Sequence, residues 1–176
     1  MPAPWASTRP PPVLTALQRS QDDDFRIARR AMGAVMPQSV VDQFYRSSLE
    51  LDASWIDRGQ IDYCFRRPFD FNSLWASVWA IASQPFVDRF CVGVSQNASW
   101  RWARCDGHGS MQPHRDYYDR MFPLSAAWGD AASAMERLLQ TKISREYPRQ
   151  CVHTSYRRGP VRAAAANVLY LCVKFR

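Results

Sequence analysis

Residues 39–57 decide the predicted fold, and they read SVVDQFYRSSLELDASWID. Ser39 can cap a helix, and Asp42, three residues later, stands where a capping box has its acidic residue. Apolar side chains then recur at the spacing of one helix face. The residues that form this apolar stripe are Val41, Phe44, Leu51 and Trp55. The stretch therefore predicts an amphipathic helix.

Two further short helices are predicted directly after this stretch. Residues 60–67 place several apolar side chains on one side of a helix. Asn72 or Ser73 can cap a third helix, over residues 73–83. Three short amphipathic helices in succession predict an all-α fold, with a three-helix antiparallel core over residues 25–88.

The rest of the chain is predicted to contain little regular structure. Residues 1–24 form a Pro-rich arm, and residues 89–176 form an irregular basic extension. Within that extension we predict one helix at about 125–147, capped by Ser125. Its buried stripe is Trp128, Ala132, Met135, Leu139 and Ile143. The last residues, 167–175, favour a strand, but a lone strand needs a partner sheet.

The chain is basic and its cations are nearly all arginine. It has 176 residues, which suits one domain, and a formal net charge of +7. Of its 23 basic residues, 21 are Arg, which forms planar bidentate pairs with carboxylate and phosphate. We therefore expect an acidic partner surface. The five cysteines show no paired spacing, which argues against a disulfide scaffold and favours a reducing compartment.

No group of residues predicts catalysis or a bound metal. A tetrahedral zinc site could in principle draw on the cysteines and histidines of two distant segments. These residues are Cys105, His108, His114, Cys151 and His153. The separation of the segments argues against zinc, and no nucleophile motif accompanies them. We predict that the protein is not an enzyme and binds no metal.

Two blocks of the sequence resemble the LYR-motif family. The tripeptide Phe44-Tyr45-Arg46 is similar to the Leu-Tyr-Arg signature of that family, with Phe in place of Leu. Residues 65–72, FRRPFDFN, are similar to the second family block, in which an apolar residue and Arg precede Phe, an acid and a polar residue. The resemblance covers about residues 39–83, and it implies the same three-helix fold.

The resemblance also implies a partner. LYR proteins bind the mitochondrial acyl carrier protein, an acidic helical protein that inserts its acylated phosphopantetheine arm between the three helices. By this resemblance, Tyr45, Arg46, Arg66 and Arg67 would contact the carrier protein. The residues that would face the acyl chain are Val41, Phe44, Trp55, Phe65, Phe69 and Val78.

The branch of the family that is most similar occurs in mitochondrial complex I. It implies a non-catalytic accessory subunit, peripheral to the inner membrane on the matrix side. Other membrane-arm subunits would be its neighbours, and it would have no cofactor of its own. An LYR-type assembly factor is one alternative. A small basic organellar RNA-binding or ribosomal protein is another, since residues 137–176 hold nine basic residues, one acid and interleaved tyrosines. The main expectation is that nucleic acid is not a partner.

Overall fold

The fold combines helices with a three-stranded sheet. A computed structural model describes residues 16–50, 65–66, 69–103, 113–152 and 165–176. Its helices are α1 (Ala16–Arg29), α2 (Gln38–Glu50), α3 (Phe71–Ala82), α4 (Ala98–Ala103) and α5 (Ala131–Glu146), with a 3₁₀ turn at His114–Asp116. Its strands are β1 (Val87–Ser95), β2 (Arg120–Trp128) and β3 (Ala166–Phe175).

The sheet contradicts the predicted all-α fold. Its strand order is β1-β3-β2, and the central strand β3 runs antiparallel to both neighbours. The partner sheet that residues 167–175 required thus comes from segments that we predicted to be irregular. Seven consecutive residues of the ten in β3 are buried, as expected for a strand with apolar side chains on both faces. Such a strand lacks the alternation that reveals a half-exposed one.

Strand β2 shows why the sequence pattern did not reveal the strands in the second half of the chain. It contains Pro123, and its pairing with β3 shifts register between Pro123 and Ser125. Proline is tolerated on an edge strand or at a bulge, and β2 is both an edge and bulged. Ser125 therefore lies in a strand and does not cap a helix. The predicted helix does exist as α5, but it begins after Gly129, whose φ is +55°. Trp128, which we predicted in its buried stripe, therefore lies in β2 and is exposed.

The helices cover both faces of the sheet, so that two separate cores form. The core on the α5 side packs α1, α3 and α5 against the sheet, and its central residues are Phe69, Leu74, Val78, Phe90, Leu139, Ile143, Leu169 and Leu171. The core on the α2 side packs α2 and α4 against the opposite face, and its central residues are Val41, Phe44, Phe65, Cys91, Trp102, Met121, Val168, Tyr170 and Cys172.

Of the three helices predicted for the core, one is confirmed and the other two are only partly described. Residues 73–83 are confirmed as α3, although its N-cap is Asp70, whose carboxylate accepts a hydrogen bond from the N–H of Ser73 at 2.8 Å. The prediction for residues 39–57 is confirmed as far as Glu50, the last described residue of α2. Of residues 60–67, only Phe65 and Arg66 are described, and they are helical; the remainder, like residues 51–57, lies outside the described residues.

Helix α1 contradicts part of the predicted Pro-rich arm. Its first described residue is Ala16, so the last nine residues of the predicted arm are helical, and residues 1–15 lie outside the described residues. Asp24 in α1 is buried and pairs with Arg137 of α5 through two hydrogen bonds from Nε, of 2.7 and 2.8 Å, and a further one from Nη2. This pair attaches α1 to α5.

Candidate partner-binding site

Two of the arginines that the resemblance singled out meet at one exposed face of α2, Arg46 on the helix itself and Arg66 from a neighbouring segment. Arg66 donates a hydrogen bond to the side-chain oxygen of Gln38. The Gln38 amide donates in turn to Asp42 Oδ1 at 2.9 Å, and Arg46 Nε reaches the backbone oxygen of Asp42 at 3.4 Å. We call these four residues the α2 arginine surface.

Helical spacing explains most of this surface. Gln38, Asp42 and Arg46 follow one another at intervals of four, so they stand in a row along α2. The other side of the helix buries Val41 and Phe44, which directs this row toward solvent. Arg66 comes from the next segment of the chain and joins the row through a tertiary contact that no local pattern predicts.

The surface has an excess of positive charge. It contains two guanidinium groups and one carboxylate, and both arginines are exposed. A guanidinium carries five N–H donors. Within the described residues, each of these two uses one donor; the remaining donors have no partner among those residues and suit the carboxylates of a partner protein. The side chain of Tyr45 and the whole of Arg67 lie outside the described residues.

The apolar residues expected to surround an acyl chain do not enclose one interior. Val41, Phe44 and Phe65 belong to the core on the α2 side. Phe69 and Val78 belong to the core on the α5 side, because the sheet lies between the two sets. Trp55 is outside the described residues. The enclosed three-helix interior is therefore absent from the described structure.

A cleft lies next to α2 instead. It has a volume of about 330 Å³ and opens to solvent. Phe44 and Phe65 form part of its wall, with ring centroids 5.1 Å apart. The other lining residues are Val40, Gln43, Gln96, Asn97, Trp128, Ala165, Ala166 and Val168. Three carboxamides and several apolar groups suit a ligand that is partly apolar and carries hydrogen-bonding groups but no charge.

A buried polar pair lies in the core on the α2 side, and the sequence analysis missed it. His114 Nε2 and the Tyr170 hydroxyl are 3.0 Å apart. Burial, followed by the positive charge of Arg101, lowers the pKa of His114 to about 4. Burial raises the pKa of Tyr170 well above its ordinary value. Both groups are therefore neutral at pH 7, and the pair has the properties of a structural hydrogen bond.

The candidate zinc ligands are only partly described. Cys105, His108 and His153 lie outside the described residues. His114 is engaged with Tyr170, and burial, followed by the charge of Cys91, raises the pKa of Cys151 to about 12. Among the described residues, no three Cys, His, Asp or Glu side chains are placed to hold a metal ion.

In the part of the chain that the structure describes, no helix combines the length and apolarity that crossing a bilayer requires. Comparison with protein-family models, curated proteins and solved structures finds no match to this chain.

Proposed function

We propose that the protein is a non-catalytic binding protein that docks an acidic protein partner through the α2 arginine surface. The observation that carries this proposal is the hydrogen-bonded row of Arg66, Gln38, Asp42 and Arg46 on an exposed helix face. The row holds both guanidinium groups in place before a partner arrives, which reduces the entropy lost on binding.

The overall charge favours the same class of partner. The chain carries a formal net charge of +7, which speeds encounter with an acidic protein at low ionic strength. Because Arg forms bidentate pairs with carboxylates, the two exposed guanidiniums suit acidic side chains on a partner helix.

The acyl carrier protein is the partner we propose, on the basis of the LYR resemblance. The cleft beside α2 offers a place for its prosthetic arm that does not require a three-helix interior. The amides of phosphopantetheine would meet the carboxamides of Gln43, Gln96 and Asn97, and an acyl chain would lie against Phe44 and Phe65. We propose further that the protein is an accessory subunit of mitochondrial complex I on the matrix side of the inner membrane.

A binding titration with acyl carrier protein tests the proposal. Arg46→Glu and Arg66→Glu should each weaken binding by roughly 2–5 kcal/mol if the guanidinium pairs with a buried carboxylate of the partner. Arg30→Glu is the matched control, because Arg30 is an exposed arginine just after α1, on the other side of the sheet. Circular dichroism of each variant should match that of the wild type.

Equal weakening by all three variants would show diffuse attraction and would contradict docking at this surface. Absence of any binding by the wild-type chain would remove the carrier protein as partner. Purification of the native protein then distinguishes a complex I subunit from an assembly factor. A subunit copurifies stoichiometrically with the complex, and an assembly factor does not.

A further inference from the structure

The end of the sheet where β1 begins and β3 ends carries an exposed aromatic pair. Phe86 is 53% exposed, and its ring centroid lies 5.7 Å from that of Phe175. The N–H of Arg176 donates to the carbonyl oxygen of Phe86 at 2.9 Å. This bond ties the residue after β3 to the turn before β1, so the exposed ring stands on a fixed part of the backbone.

Two cations lie on the neighbouring residues of the same two strands. Arg89 of β1 is the cross-strand partner of Lys174 of β3. Like charges opposite each other destabilise a sheet, and each cation here has its own carboxylate. Arg89 Nε lies 3.2 Å from Asp88, and Lys174 Nζ lies 2.8 Å from Asp119. Asp119 also accepts the N–H of Phe175 at 2.7 Å, which fixes it at the strand end.

Two more arginines give this end an excess of positive charge. Arg120 starts β2 directly after Asp119, and Arg176 follows Phe175. Both are exposed, and neither forms an ion pair within the described ranges. We define the sheet-end surface as Phe86, Asp88, Arg89, Asp119, Arg120, Lys174, Phe175 and Arg176. It holds four cations, two carboxylates and one exposed ring at the same end of the sheet.

We propose that the sheet-end surface binds single-stranded nucleic acid. An exposed aromatic face stacks on an unpaired base whatever its sequence, and neighbouring cations meet the phosphates. A duplex would not use the ring, because its bases are already stacked. The surface shares no residue with the α2 arginine surface, so this proposal stands independently of acidic-protein docking.

Fluorescence anisotropy with a labelled oligouridine of about 12 nucleotides tests this proposal. Phe86→Ala should weaken binding roughly 5- to 100-fold through the loss of one stacked base. Trp79→Ala is the matched control: Trp79 is 54% exposed on α3 and lies outside the surface, so its removal should leave affinity unchanged.

A salt titration tests the role of the cations. Arg120→Ala should reduce the slope of log affinity against log salt concentration by about 0.7, the value for one phosphate contact to a single strand. Arg30→Ala should leave the slope unchanged. An oligothymidine of the same length shows whether DNA and RNA share the site.

Three results would overturn the proposal. The first is equal weakening by Phe86→Ala and Trp79→Ala, and the second is equal affinity for a duplex of the same length. The third is no binding of either oligonucleotide while phosphatidylserine vesicles bind, which would identify an anionic lipid surface instead. Wild-type circular dichroism for Phe86→Ala excludes unfolding as the cause of a loss.

Discussion

At the scale of single residues, Gly93 has no room for a side chain. A Cβ at this position would lie 2.6 Å from Cζ of Tyr170. That ring is almost fully buried and its hydroxyl bonds to His114, so it cannot move away cheaply. We expect Gly93→Ala to destabilise the protein by about 1–3 kcal/mol, the usual cost of overpacking, measured by urea unfolding. In a Tyr170→Leu background the same change should cost clearly less; an equal cost in both backgrounds would contradict the clash.

The His114 pair predicts a pH dependence of stability. The folded pKa of His114 is about 4 and the ordinary value is 6.5, so between these values the unfolded state binds more protons. Stability contributed by neutral His114 is therefore complete above about pH 6.5 and is lost as the pH falls toward 4. Besides Tyr170, the imidazole has two titratable or charged neighbours: Arg101, whose charge contributes to the lowered pKa, and Tyr118, whose ring packs against it.

Urea unfolding at two pH values measures this dependence. Between pH 7 and pH 5, the wild type should lose about 2 kcal/mol more than His114→Asn, which cannot titrate. A loss of the same size in both proteins would assign the pH dependence to other groups.

At the scale of elements, the N-terminus of α3 depends on Asp70. Its carboxylate accepts the N–H of Ser73 at 2.8 Å, which satisfies one of the unpaired donors of the first turn. Asp70→Ala should cost about 1 kcal/mol, and Asp70→Asn should cost less because its side-chain oxygen still accepts. Asn72→Ala is the control, since Asn72 is exposed within the first turn and its replacement should be nearly neutral. Thermal unfolding compares the stabilities of the three variants. A larger loss of stability for Asn72→Ala than for Asp70→Ala would show that Asn72 caps the helix, as the sequence predicted.

At the scale of the whole molecule, the sheet keeps two groups of helices apart. One core lies between the sheet and α1, α3 and α5, and the other lies between the sheet and α2 and α4. The α2 arginine surface lies on one of these helices, whereas the sheet-end surface lies at one end of the strands, and the two share no residue. Variants at one can leave the other intact, which is why the two binding proposals can fail separately.

The sequence by itself determined the features that depend on neighbouring residues. Helical spacing predicted α3 and the buried face of α5 that Met135, Leu139 and Ile143 form. The same spacing puts Arg46, two residues after the buried Phe44, on the opposite side of α2. These features follow from hydrogen bonds and side-chain contacts between residues three or four apart, which a local pattern records.

Only the tertiary structure decided the sheet and the division of the apolar residues. β1 and β2 do not pair with each other; each pairs with β3, which follows both in the chain. Burial on both faces of β3 and the bulge in β2 remove the alternation of apolar and polar residues by which strands are recognised in a sequence. The contact of Arg66 with Gln38 and the separation of Phe44 from Val78 depend on this long-range pairing. Because spacing along the chain carries no information about which distant segments meet, the sequence predicted α3, α5 and the described part of α2, and it missed the sheet.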